Sequence, residues 1–248
     1  MKNWLFESIV LAVGIAVGLG YGDNFLAVGI AVAGLFVKVG LSEFAARSRV
    51  VTVKGLAEME VKADKVTWPL TYNVLGNDMV SLYNEIKETN GKITAFLKSK
   101  GIKDDEISVN APEIIDTKAD RYNNAPQPYR YNVTTVVTVT SKQVDLVRKL
   151  INEQSELLKQ GVAITSGDYR YNVSYDYTSL NDIKPQMIEE ATKNARTAAD
   201  KFAKDSGSKL GGIQRASQGQ FTISDRDPNT PYIKQVRVVT TIDYSLED

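Results

Sequence analysis

The sequence predicts an α+β fold in which duplicated β-α-β-β units form antiparallel sheets with helices packed on one face, preceded by an N-terminal transmembrane helix or helical hairpin. Three observations predict it. The heptad Leu11-Ala12-Val13-Gly14-Ile15-Ala16-Val17 returns as Leu26-Ala27-Val28-Gly29-Ile30-Ala31-Val32, inside a stretch from Leu5 to Leu41 whose only ionised side chains are Glu7, Asp23 and Lys38. Beyond it, period-two alternation and helical periodicity take turns along the chain. Finally, the motifs around two helices and the strands that follow them recur at one spacing.

Residues 1–48 are expected to form a membrane anchor, because so much contiguous apolar surface gains by leaving water. A break at Gly20-Tyr21-Gly22-Asp23-Asn24 leaves two runs of about sixteen residues, each about 24 Å long as a helix against a hydrocarbon core of about 30 Å. One tilted span and a hairpin turning at Gly22-Asp23-Asn24 both fit. Gly14, Gly18 and Gly22 make a ladder of small residues, as do Ala27 with Ala31 and Gly29 with Ala33, which favours close helix packing and hence the hairpin. A cleavable signal fits poorly, since the small-residue spacing of Ala31-Val32-Ala33 is followed by Gly-Leu-Phe-Val. Lys38, Arg47, Arg49 and Lys54 follow the block and Lys2 alone precedes it, so charge alone would put the body in the cytoplasm.

Residues 49–248 form the body. Arg49 to Val61 alternates as a strand, with Gly55 offering a bend, and Ala63 to Gly76 reads as a second. Trp68-Pro69 places that second strand at an edge or bulge, because proline cannot donate to a ladder. Asn77 or Asp78 then caps a helix whose inner face is Met79, Leu82, Tyr83, Ile86, Ile93, Phe96 and Leu97, and Gly101 ends it. Glu106 to Ile115 and Tyr129 to Thr140 are strands; Ser141 caps a helix carrying Val144, Val147, Ile151 and Leu158 and closed by Gly161. Val162 to Tyr177 reads as another strand. A long helix from about Asp182 to Ser206 tolerates Pro185 in its first turn and faces inward with Ile183, Met187, Ala191, Ala195, Ala198 and Phe202. Gly207 closes it, and strands at about Gly212–Ser224 and Tyr232–Tyr244 finish the chain.

Asn77-Asp78 before one helix corresponds to Asn181-Asp182 before the other, and Asn90 falls on Asn194. Pro128-Tyr129 with Val133, Val136, Thr138 and Val139 matches Pro231-Tyr232 with Val236, Val239, Thr241 and Ile242. The two copies, about 63–140 and 163–245, are separated by no Gly/Ser-rich linker and are expected to share one body.

Composition removes much chemistry. The absence of cysteine and histidine excludes thiol catalysis, disulfides, Ser-His-Asp triads and ordinary zinc sites. Thirty Lys+Arg balance thirty Asp+Glu, so nothing draws the chain to nucleic acid, and no glycine-rich phosphate loop is present. Asp104-Asp105-Glu106 and Asp225-Arg226-Asp227 read better as solvated turns than as cation sites. Asn194 and Arg196 point different ways on one helix, so one would satisfy backbone while the other reaches a partner. Tyr122, Tyr129, Tyr131, Tyr169, Tyr171, Tyr175 and Tyr177 could line an aromatic surface, although half-buried strand tyrosines with wet hydroxyls are the commoner outcome. No catalytic residue, metal site or cofactor is expected.

Val51-Thr52-Val53-Lys54-Gly55-Leu56-Ala57-Glu58, Asn181-Asp182-Ile183-Lys184-Pro185, the helix from Ala191 to Ala199 with Asn194 and Arg196, and Gly207 with Leu210-Gly211 resemble the SIMPL-domain family of bacterial envelope proteins, with its YggE-type members. The resemblance implies an exported, non-enzymatic protein linked to oxidative-stress tolerance, some of whose relatives assemble into hollow rings. On it we expect the anchor in the bacterial inner membrane, the body outside the cytoplasm, and a large homo-oligomer closed by pairing of strand edges such as the one bearing Pro69. The alternative is a module that binds a hydrophobic small molecule or unfolded protein under stress, in an apolar pocket lined by the tyrosine-bearing strands.

Overall fold

The strands of the body divide between two antiparallel sheets. A computed structural model describes residues 24–47, 49–119, 128–165 and 169–247. In chain order the elements are α1 (Asn24–Arg47), β1 (Val50–Lys62), β2 (Lys65–Gly76), α2 (Met79–Ser99), β3 (Ile107–Val109), β4 (Glu113–Asp116), β5 (Tyr131–Ser141), α3 (Val144–Glu153), β6 (Ser174–Asp176), α4 (Leu180–Asp205), β7 (Lys209–Gln218), β8 (Thr222–Asp225) and β9 (Ile233–Glu247). The chain forms two units, one of Met1–Ala57, Ile188–Gln220 and Val238–Asp248, the other of Glu58–Met187 and Phe221–Arg237.

In the first unit, β9 lies between β1 and β7. Thr52 Oγ1 donates to Asp243 Oδ1 at 2.7 Å, and Leu246 N donates to Arg49 O at 2.9 Å. β1 alternates because one face is covered: Val53 and Ala57 are buried while Thr52, Lys54 and Leu56 are exposed. The cover is α4, whose Ala191, Ala195, Ala199 and Ala203 form a stripe of small side chains at a strict spacing of four. Phe202, expected to face inward, is 60% exposed, because a seam this tight admits only alanine.

α1 leads into β1. Its described side chains, residues 29–41, are exposed almost throughout. Among the described residues no helix is long and apolar enough to cross a membrane. Gly14, Gly18 and Gly22, and Gly22-Asp23 of the hairpin turn expected at Gly22-Asp23-Asn24, lie outside the described residues, whereas Asn24 begins α1 and Ala27 is described only as part of it. Gly29, Ala31 and Ala33 are exposed, and a Cβ built at Gly29 would meet nothing within 4 Å, so these small residues make no close helix contact among the described residues.

In the second unit the order is β6-β2-β5-β3, with β4 also on β5. Val66, Trp68, Leu70, Tyr72 and Val74 of β2 and Val133, Val137 and Val139 of β5 point to one face, where α2 supplies Leu82, Ile93, Phe96 and Leu97 and α3 supplies Val147 and Leu150. Each such side chain contributes about 1.5–3 kcal/mol through burial. Asp78 starts α2 by accepting from Ser81 N at 2.8 Å, and Gly101 follows its end at φ +99°. Ser141 stays in β5; its Oγ accepts from Gln143 N, and the helix begins at Val144. Met79, Tyr83 and Leu158, expected inside, are 41%, 63% and 60% exposed.

Three expectations are corrected here. Pro69 lies in an inner strand, opposite Thr138 of β5. It is tolerated because it is in phase with Thr67 and Thr71, which face β6 and Thr165, so the missing N–H falls in the gap between those partners. The sheet edge broken by Pro69, and the strand pairing between copies that rested on it, are therefore withdrawn. The stretch from Val162 to Tyr177 is not one strand: Thr165 makes an isolated bridge to Thr71, Tyr169–Tyr171 forms a 3-10 turn, and Ser174–Asp176 forms a short ladder with β2. Glu106 to Ile115 is two short strands split around Asn110-Ala111-Pro112.

Candidate functional site

At the seam of the first unit, Gly55 is held by approach rather than by conformation. A Cβ there would sit 2.6 Å from Ala195 N and 2.8 Å from Ala195 Cβ, and closer still to Ala191 O. One residue on, Leu56 O accepts from Asn194 Nδ2 at 2.8 Å, while Arg196 is exposed. Gly207 ends α4 at φ +71°, and at Gly211 a Cβ would run into the side chains of Ser245 and Glu247 on β9. In the second unit Asn181 accepts from Lys184 Nζ at 2.9 Å, Asp182 N donates to Ser179 O at 3.0 Å, and Pro185 lies within α4. Gly55 and Asn194 thus meet at one seam, and the other motif residues terminate or pack elements elsewhere.

The acidic groups are taken up by turns. Asp104 pairs with Lys98, and Glu106 accepts from Lys103 N at 2.9 Å and Ser141 Oγ at 2.6 Å. Burial opposes the Glu106 charge, but these hydrogen bonds outweigh it and hold the carboxyl below its usual range. Asp225 pairs with the buried Lys234. Asp227 accepts from Asn229 N at 2.8 Å and Thr230 N at 2.9 Å, and the Thr230 hydroxyl followed by the Arg226 guanidinium brings its carboxyl down to about 2. Among the described residues no group of three or more His, Cys, Asp or Glu is placed to hold a metal.

Among the described residues of the second unit, two clefts bear on the candidate side chains. In one, of about 600 Å³, the Arg148 guanidinium lies 3.3 Å from the centre of the Tyr232 ring, which meets Tyr175 edge to face at 6.2 Å. Arg148 also pairs with Asp145 at 3.2 Å, so its charge is already engaged and one face of Tyr232 is occupied. The other cleft, of about 330 Å³, lies between α2 and the break separating β3 from β4. Tyr83, Ile86, Val109 and Pro112 give it apolar walls, and Thr135 of β5 lies at its base. Opposite Thr135 in the register stands Tyr72, whose hydroxyl donates toward Asn90 Oδ1 at 2.9 Å and Ile86 O at 3.2 Å. Burial pushes the Tyr72 phenol up to about 12, with the neighbouring Thr135 hydroxyl opposing.

Of the tyrosines singled out in the sequence, Tyr122 lies outside the described residues, Tyr169 is 85% exposed, and Tyr175 lines the arginine-bearing cleft. The apolar cleft instead has Tyr83 from α2. Tyr72, Tyr83 and Thr135 were not recognised as site residues. The available signal was the row Val133, Thr135, Val137, Val139, where one hydroxyl replaces a methyl on the core face.

Two antiparallel sheets, each with a helix over one face, define an α+β protein, and its sequence places it more narrowly. Residues 51–242 match the SIMPL family, described as a protein of unknown function (DUF541), and the chain belongs to that family. No curated protein matches it.

Proposed function

We propose that this SIMPL protein is a non-catalytic scaffold of the bacterial envelope, tethered to the inner membrane by residues 1–48 and self-associating through its body outside the cytoplasm. The observation that carries the reading is the exposure of apolar side chains along α1: Ile30, Leu35, Phe36, Val37 and Leu41 are 55–65% exposed. A run of this kind gains about 25 cal/mol for every Å² removed from water, and lipid is the cover that asks for no matching surface. The repeated heptad preceding and entering α1 extends the same apolar character toward residue 5. Self-association is supported by β7, which among the described residues pairs on one side only, with β9. Its register is regular from Arg215 to Gln218, and nearly all of its residues are exposed, leaving backbone groups for another strand. The link to oxidative-stress tolerance rests on the family resemblance.

The test is flotation with liposomes together with mass measurement in detergent, on the full chain and on a chain lacking residues 1–48. The full chain is expected to float and to give a particle of many copies; the shortened chain is expected to stay at the bottom of the gradient while still associating. A full chain that fails to float removes the anchor, and a monomer in both forms removes the scaffold.

A further inference from the structure

The apolar cleft beside α2 has an unmet demand at its base. Thr135 is 1% exposed, and although its hydroxyl lies close enough to the Tyr72 phenol to oppose the rise in that group's pKa, its Oγ1 makes no hydrogen bond of normal geometry. Its cross-strand neighbour Tyr72 directs its own hydroxyl toward Asn90 and Ile86. Packing does not account for this hydroxyl. Val133, Val137 and Val139 fill the same row of β5, and valine would occupy the volume of Thr135 without burying an unpaired polar atom, which ordinarily costs about 1–3 kcal/mol. The base of the cleft is therefore less stable as it stands than its neighbours show it could be; Thr71, Asn132 and Thr240 also bury a polar atom without a partner, but of the four Thr135 alone lines this cleft.

Two of the other polar groups lining the cleft offer donors too. With its Oδ1 accepting from Tyr72, Asn90 presents its amide protons, and Lys87 adds an ammonium from the same helix. The walls are apolar, and Tyr83 and Val109 are 63% and 53% exposed, leaving the body of a ligand a surface to cover. A volume of about 330 Å³ lies at the small end of the range of about 300–1,000 Å³ typical of ligand pockets. We propose that this cleft binds a small amphipathic molecule, with its apolar body against Tyr83, Ile86, Val109 and Pro112 and a single acceptor head, a carbonyl or carboxylate oxygen, on Thr135 and Asn90.

The proposal is tested on the full chain with three probes of one shape: 4-ethylbenzoate, 4-ethylbenzamide and 4-ethylbenzylamine. The first two carry an acceptor head, one charged and one neutral; the third carries only donors. Calorimetric titration is expected to show saturable one-to-one binding of at least one acceptor probe and none of the amine. Thr135→Val is expected to weaken that binding about tenfold while raising the melting temperature of the ligand-free protein, so loss of binding cannot be ascribed to loss of fold. If the benzoate binds much more tightly than the benzamide, Lys87→Met should abolish the difference. Saturable binding by neither acceptor probe, equal binding of the amine, or binding undiminished in Thr135→Val overturns the assignment. A Thr135→Val protein that melts lower shows that the hydroxyl is structural and overturns it as well.

Discussion

Replacing Gly55 by alanine tests whether the seam between β1 and α4 holds the first unit together. The new Cβ would lie 2.6 Å from Ala195 N, 2.8 Å from Ala195 Cβ and closer still to Ala191 O, where ordinary contact begins at 3.4 Å, so α4 must retreat by about 0.8 Å at Ala195 and by more at Ala191. The obstructing atoms are backbone and a Cβ, which cannot swing aside as the end of a long side chain can. Overpacking of this kind costs about 1–3 kcal/mol. The retreat also strains the bond from Asn194 Nδ2 to Leu56 O, worth about 1 kcal/mol. A loss of about 2–4 kcal/mol follows, a large part of the roughly 5–15 kcal/mol that stabilises a typical domain. Urea unfolding followed by circular dichroism measures it, with Gly212→Ala as control, since a Cβ at Gly212 meets nothing within 4 Å. A Gly55→Ala protein within about 0.5 kcal/mol of wild type would refute the reasoning, because surface changes free of such conflict fall in that range.

Gly91 lies inside α2, exposed, with open space where a Cβ would be, so Gly91→Ala should raise stability by about 0.5–1 kcal/mol in the same assay. At Asp64, burial disfavours the charge, but hydrogen bonds from Thr178 and Ser179, at 2.7–3.0 Å, outweigh it and hold the carboxyl below 3.8. A depressed acid stabilises the fold above its unfolded pKa and loses that contribution as pH falls through the folded value. Asp64→Asn should accordingly flatten the stability profile below about pH 4, as read by melting temperature against pH. Tyr72 is raised from 10.0 to about 12, so its contribution is complete below about pH 10 and lost as pH rises toward 12; Tyr72→Phe should remove that alkaline decline.

Local chemistry was the most legible part of the sequence. Asp78, Gly101, Gly161 and Gly207 mark helix ends, because capping and positive φ depend on neighbours only a few residues away. Long-range partners were less so. Pro69 pointed to an edge, yet a single missing N–H matters only on the side it faces, and the sequence does not show that β6 stops short of it. In α4 the reading shifted phase at Ala198, whereas the buried stripe continues through Ala199 and Ala203. The shift would have seated Phe202 in a seam whose width is set by Gly55, more than a hundred residues earlier. Thr135 was invisible for another reason. Threonine and valine are equally at home in strands, and only burial reveals that its hydroxyl lacks a partner.

Because β9 is the strand that pairs with β1 among the described residues, β1, next to α1, must wait for Ile233–Glu247 to be made before it gains that neighbour. Closing so long a loop is slow, and until it closes the edge of β1 stands open next to the greasiest stretch of the polypeptide. Biogenesis therefore exposes this protein to wrong pairings at its most adhesive point, and a chain cut short before Ile233 would leave the alanine face of α4 with half a sheet to rest on.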